Sequence, residues 1–220
     1  MASVLVTGAN RGIGLELTRQ YVSRGDDVIA ICRSSNAELE ETGARIIHGV
    51  DVSDDAGVDK LAAALDGQTV DILINNAGIL RSDSLDSVDY GDMLEQYRVN
   101  TIGPLRVTRA LLGNLKAGSK VGIVTSRVGS IEDNSSGNNY GYRCSKTAAN
   151  MVGMNLHHDL SPRGIAVILL HPGYVATDMT RGSGNTNAAD SAAGLIARID
   201  ELDMETSGSF WHAEGYALPW

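Results

Sequence analysis

Cysteine is scarce in this chain of 220 residues, and the two present, Cys32 and Cys144, lie far apart. They form no Cys-x-x-Cys or Cys/His spacing, which argues against a disulfide framework and a thiolate metal site. Histidine supplies no ligand set either. The five are scattered, and adjacent His157 and His158 point to different faces of any helix, so no metal is expected. Cations are the minority charge: 18 Lys and Arg against 27 Asp and Glu leave a formal net charge of -9. That surplus repels nucleic acid phosphates and anionic membrane surfaces, so neither is expected as a partner. Long apolar runs are missing. Residues 165–170 make a short buried strand at most, far from the roughly 20 residues that span a bilayer. Met1-Ala2-Ser3 run straight into an apolar strand with no sign of a secretory leader, so a cytoplasmic protein is expected. What is present suits one sizeable core. With 43% hydrophobic residues and no repeat or linker, residues 1–220 read as a single domain.

The first strand-like run, Val4-Leu5-Val6, is followed by Thr7-Gly8-Ala9-Asn10-Arg11-Gly12-Ile13-Gly14, after which Leu15, Leu17, Tyr21 and Val22 resume at roughly helical spacing. Strand, glycine turn and helix in that order make a dinucleotide site. Glycine permits positive φ and close backbone approach, and the first helical turn offers free N–H groups and a positive dipole end to a pyrophosphate. Gly8, Asn10, Arg11, Gly12, Ile13 and Gly14 are therefore the candidate cradle. The second strand, residues 28–32, ends at Arg33-Ser34-Ser35 with no carboxylate. An acidic residue there suits the ribose hydroxyls of NAD, whereas arginine suits the 2′-phosphate of NADP. Arg33 and Ser34 thus favour NADP over NAD, with Arg11 as a second cation.

A third strand is predicted over residues 46–52, ending on Asp51-Val52. Asp51 is able to accept from an adenine amino group or to cap a turn. A helix bearing Val58, Leu61 and Leu65 leads to a fourth strand, residues 70–74, which runs into Asn75-Asn76-Ala77-Gly78. Small residues at that point let a ribose and ring come close. Strands alternating with helices, the strands almost continuously apolar, predict an α/β fold: a doubly wound parallel sheet with helices on both faces, of the Rossmann type.

Tyr142-Arg143-Cys144-Ser145-Lys146 sets a phenol and an ammonium one helical turn apart on one face. A phenol ionises near pH 10, and a neighbouring cation favours the phenolate, which brings proton transfer nearer working pH. Tyr140 is close by, but only Tyr142 has a lysine four residues on. A long helix pattern over residues 94–112 is broken by Gly103-Pro104, so its ladder is expected to relax after Asn100. Residues 121–126 form a fifth predicted strand. Parallel sheets bind ligands at the carboxyl ends of their strands, which puts Ser126 in position to act. Ser130 lies nearer Tyr142 in sequence. Residues 131–139 are polar loop, residues 165–171 a sixth strand leading into Pro172-Gly173-Tyr174-Val175-Ala176-Thr177-Asp178-Met179, and residues 182–187 a flexible lid or its remnant.

Residues 7–14, Asn75 to Gly78, and Tyr142 with Lys146 resemble the glycine, Asn-Asn-Ala-Gly and Tyr-x-x-x-Lys motifs of the short-chain dehydrogenase/reductase family, in order and approximate spacing across nearly the whole chain. The last residues resemble the branch holding C-factor-type proteins and sniffer-type carbonyl reductases. The resemblance implies reduction of a ketone or aldehyde by hydride transfer from NADPH. In that picture Ser126, preferred over Ser130 for its strand-end place, positions the carbonyl oxygen and Ser130 goes to the substrate wall; Tyr142 donates a proton, Lys146 binds the nicotinamide ribose, and Asn100 holds a water that completes the proton path. Asn76, Ala77 and Gly78 line the cofactor, Pro172 and Gly173 close over it, Val175 and Thr177 meet the carboxamide, and Tyr174 faces substrate. Homodimers or homotetramers occur among such proteins. The C-factor likeness also implies a rival, a signalling or regulatory protein that keeps the cofactor site with little turnover. An epimerase or dehydratase of the extended branch is disfavoured by chain length.

Overall fold

The apolar runs assemble into a seven-stranded sheet in which every pairing is parallel, in a computed structural model describing residues 1–220. Its strands are β1 (Ser3–Thr7), β2 (Asp27–Ile31), β3 (Arg45–Ile47), β4 (Ile72–Asn75), β5 (Lys120–Val124), β6 (Ala166–His171) and β7 (Ser209–His212). Their order is β3-β2-β1-β4-β5-β6-β7, so the winding reverses between β1 and β4. That reversal opens a crevice at the carboxyl ends of the strands, where ligands of such sheets sit.

Side chains alternate across each strand and feed two separate cores. Val4 and Val6 join the layer beneath α1 (Gly12–Ser23) and α7 (Ala188–Glu201), with Leu17, Tyr21, Leu195 and Ile199. Leu5 joins the opposite layer with Leu61 of α3 (Asp55–Ala64), Val107 of α5 (Gly103–Ala110) and Leu156 of α6 (Tyr140–Leu160). Two short helices, α2 (Ala37–Glu40) and α4 (Tyr90–Tyr97), complete the set. No helix is long and apolar enough to cross a membrane.

Three expectations shift at element ends. The third strand stops at Ile47 instead of reaching Val52, because Gly49 takes φ +73° and turns the chain out of the sheet. This delivers Asp51 and Val52 to the crevice as loop residues. The fifth strand ends at Val124, so Ser126 lies beyond it as the extended N-cap of a short 3-10 turn, residues Arg127–Gly129. The relaxed helix near Asn100 is a π turn over Arg98–Ile102 that contains Asn100, rather than a break after it. β7 had no counterpart among the predicted strands; it pairs with β6 from Ile168↔Ser209 to His171↔His212.

α1 begins so close to the turn before it that a Cβ on Gly14 would lie 2.2 Å from the Gly8 carbonyl oxygen and 2.5 Å from Asn76 Nδ2. Gly14→Ala is expected to lower stability by about 1–3 kcal/mol, the usual cost of overpacking, read as a lower urea midpoint with an unchanged m-value.

Candidate active site

The crevice is a cleft of about 490 Å3 crossing the tips of β1, β2 and β4. On one side the glycine turn contributes Gly8, Asn10, Arg11, Gly12, Ile13 and Gly14. The N-cap of α1 is Arg11, which makes no side-chain cap bond, and the first turn holds no acidic residue, so the positive end of this helix is left open to an anion. Asn10 Nδ2 donates to the Ser34 carbonyl at 3.1 Å and Asn36 Nδ2 donates to the Asn10 carbonyl at 2.9 Å, lacing the turn to the loop after β2. Ser34 takes part through its backbone and does not line the cleft.

Arg33 does line it, with its Nη1 3.8 Å from Asp51 Oδ2. Asp51 Oδ1 accepts from the Ser53 N–H at 2.8 Å, the turn-capping arrangement. Burial raises the Asp51 pKa, but hydrogen bonds from Ser53 and the nearby Arg33 and Arg106 outweigh it, so the net displacement is downward and the group stays ionised. Across the cleft, Arg11 Nη1 is 3.7 Å from Asp178 Oδ2, and a Cβ on Gly12 would be 3.5 Å from Thr177 Cγ2. These exposed ion pairs are weak and leave both guanidiniums available to a phosphate.

The floor is Asn76, Ala77 and Gly78. Asn76 Nδ2 donates to the Thr7 carbonyl at 2.9 Å, and the N–H groups of Asn76 and Ala77 donate to Thr7 Oγ1 at 3.0 and 3.1 Å. A Cβ on Gly78 would approach Asn100 Oδ1 to 3.3 Å and Lys146 Nζ to 3.6 Å, so the missing side chain keeps open the space before the lysine. An open helix terminus, two cations and a floor of small residues fit a dinucleotide and its pyrophosphate.

Tyr142 and Lys146 enter the same cleft from α6. Lys146 is 4% exposed, its Nζ donates to the Val124 carbonyl at 2.9 Å and lies 5.7 Å from the centre of the Tyr142 ring. The expected acidification of the phenol is not what the environment produces. Burial pushes Tyr142 up to about 12, only partly opposed by a hydrogen bond with Ser126. Burial also pushes Lys146 down to about 8, which weakens the very charge that was to favour the phenolate. Desolvation is therefore the leading cause at both groups.

The π turn buries Asn100, whose Oδ1 accepts from the Ile79 N–H at 2.8 Å. Its Nδ2 donates to the Ile79 carbonyl at 2.9 Å and to Ser145 Oγ at 3.0 Å. Ser126 Oγ accepts from the Val128 N–H at 3.3 Å. Ser130 turns away: its hydroxyl donates to the Trp220 carbonyl at 3.0 Å and accepts from the Asp133 N–H at 3.1 Å. After β6, Pro172 and Thr177 line the cleft, whereas Gly173 turns the chain at φ +91° against Thr186 and Val175 is buried on a bridge to Thr186. Tyr174 is 52% exposed and lies outside the lining. The supposed lid, residues 182–187, is tied to this segment: the Asn185 N–H donates to the Tyr174 carbonyl at 2.7 Å and the Ala176 N–H to the Thr186 carbonyl at 2.9 Å. The sequence did not single out Ile79, Arg98 or Val99 as lining residues, or Thr7 as the group that fixes the floor. Of these only Thr7 carried a signal, its place at the tip of β1.

The family model described as short chain dehydrogenase matches residues 2–188. The 1-hydroxy-2-glutathionyl-2-methyl-3-butene dehydrogenase of Rhodococcus sp. (strain AD45) is 48% identical over 226 aligned positions, covering 100% of both chains. The C-signal protein of Myxococcus xanthus is 45% identical over 154, covering 69% of this chain and 93% of its own. Among solved structures, the NADPH-bound carbonyl reductase from chicken fatty liver superposes with a TM-score of 0.91 at 32% identity, covering 100% of this chain and 99% of that one.

Asn100→Ala removes both partners of Ile79 and strips the amide from Ser145. It is expected to cost about 1–3 kcal/mol for leaving buried polar groups unpaired, measured by denaturant unfolding.

Proposed function

Since this chain belongs to the short chain dehydrogenase family, we propose that it is an NADPH-dependent carbonyl reductase acting on a ketone or aldehyde. The observation that carries this reading is the meeting, in one cleft, of Tyr142 and Lys146 with an uncapped helix end and Arg33. Arg33, with Arg11, is the proposed reader of the 2′-phosphate; the absence of a carboxylate on the tip of β2 supports NADP over NAD. The carbonyl reductase that superposes on this chain is described as NADPH-bound.

When bound, the nicotinamide supplies the hydride. The chain's own residues manage the oxygen. Tyr142, kept protonated by burial with its pKa near 12, holds a proton ready for the alkoxide forming on the carbonyl oxygen, and Ser126 steadies that oxygen and the phenol together. Lys146, brought down to about 8, exchanges its proton near neutral pH and is suited to recharge the phenol. Asn100 is assigned to the outward path, where the π turn interrupts the regular helical ladder. Running the steps backwards oxidises an alcohol, the direction for which the Rhodococcus relative is named.

A second reading follows from the likeness to C-signal: a regulatory protein that keeps the cofactor cleft and turns over little. The filled Ser126, Tyr142, Lys146 and Asn100 positions favour the enzyme. Incubation with NADPH and a panel of aromatic and aliphatic carbonyls separates the two, because a regulator binds cofactor without consuming it.

Tyr142→Phe should lower kcat by about 10²–10⁴-fold, the usual worth of a positioned proton donor, while NADPH binding by fluorescence titration stays within about twofold. Near-normal turnover in this variant would remove the phenol from the chemistry. Arg33→Ala should raise the Kd for NADPH about tenfold or more, as expected for a lost charge-assisted phosphate contact, and leave that for NADH nearly unchanged. An equal loss for both would refute the NADP assignment.

A further inference from the structure

The active helix begins without a cap of its own. α6 runs for 21 residues from Tyr140, yet its N-cap, Asn139, makes no side-chain bond to the first turn, and no acidic residue occupies that turn. The reason is in the backbone. Asn138 and Asn139 both hold left-handed conformations, at φ 56° and 50°, whereas a capping residue normally needs an extended backbone to fold its side chain onto the helix. The missing acceptor comes from far upstream. Asp83 Oδ1 accepts from the Tyr140 N–H at 2.6 Å and Oδ2 from the Gly141 N–H at 3.0 Å, and the Asp83 carbonyl accepts from the Asn139 N–H at 2.9 Å.

Asp83 is itself fixed from below. Its segment leaves the cleft floor through Ile79, both of whose backbone groups are held by Asn100, and then Arg81, whose N–H donates to Gln96 Oε1 at 2.9 Å. Gln96 is fully buried on α4. The bracket of residues 79–83 thus runs from the α4 and π-turn region to the start of α6, and Tyr142 follows the two capped amides directly.

We infer that Asp83 is a positioning residue for Tyr142, a carboxylate supplied from another segment that caps the active helix and fixes where the phenol enters the cleft. The inference rests on the carbonyl reductase reading for its kinetic consequence and on the hydrogen bonds alone for its structural one. A carboxylate also offsets the positive helix end beside a group that must stay protonated. Loss of the cap frays the first turn, and the phenol occupies its reacting position for a smaller fraction of the time.

The test uses the full chain carrying Asp83→Ala, with Asp83→Asn as the rescue, since the amide oxygen preserves one acceptor. Hydrogen exchange should speed up about tenfold at Tyr140 and Gly141 in Asp83→Ala, within the range of a lost cap, with the middle of α6 and the sheet unchanged. In turnover assays kcat should fall about tenfold with KM and NADPH Kd within about twofold, and Asp83→Asn should recover most of the loss. Unchanged exchange at Tyr140 and Gly141, or kcat within twofold of wild type in Asp83→Ala, would overturn the inference. So would a uniform loss of protection across the sheet, or kcat and NADPH binding falling together without rescue, since either marks a general fold defect. Failure of the reductase reading is recognisable separately, as retained turnover in Tyr142→Phe; the exchange measurement needs no turnover and then decides the cap by itself.

Discussion

The Thr7 hydroxyl is the point on which the cleft depends. It accepts from the N–H groups of Asn76 and Ala77, while the Asn76 amide donates back to the carbonyls of Thr7 and Gly8. These bonds join the tips of β1 and β4 where the sheet reverses its winding and no further ladder bonds exist to join them. The approach is close enough that a Cβ on Gly8 would lie 2.8 Å from Ala77 Cα, so the glycine is required by contact as well as by its φ of +68°. With this stitch in place the turn before α1 and the floor beneath Lys146 become one surface, and a ligand laid along it meets both.

Burial then sets the chemistry of that surface. The cost of removing charge from water acts in opposite directions on an acid and a base, raising Tyr142 to about 12 and lowering Lys146 to about 8, so the phenol stays neutral while the amine titrates close to neutral pH. The proposed proton delivery draws on this contrast, a neutral phenol beside a lysine of pKa about 8. Burial also explains how the polar groups of this site are held: Lys146 by Val124, and Asn100 by Ile79 and Ser145. In a poorly solvated site an unpaired donor costs more than the bond it forgoes, so each is given a partner.

Most of the sheet was legible because its strands are short apolar runs bounded by glycine and polar residues, and six of the seven could be located that way. β7 could not. Ser-Phe-Trp-His shows alternating burial but no length, and it becomes a strand because β6 offers it an edge. The predicted third strand ended early for a local reason, the turn at Gly49, and the same turn is what brings Asp51 beside Arg33. At the site, the glycine turn, Asn76 to Gly78, and Tyr142 with Lys146 were readable from type and spacing, and all of them line the cleft. The preference for Ser126 over Ser130 rested on strand-end position alone, because both follow β5 within a few residues; the turn after Val124 and the bond from Ser130 to Trp220 are what aim the two hydroxyls apart.

By itself, then, the sequence determined what depends on neighbours along the chain: the alternation of strands and helices, the uncapped start of α1, the four-residue step from Tyr142 to Lys146, and an arginine where an acid would select NAD. Tertiary structure alone decided what depends on segments distant in sequence meeting in space. The protonation balance of Tyr142 and Lys146 belongs to this second group, because desolvation is a property of the surrounding packing. So does the cap on the active helix, where the carboxylate of Asp83 meets amides 57 and 58 residues away, a separation no local periodicity records.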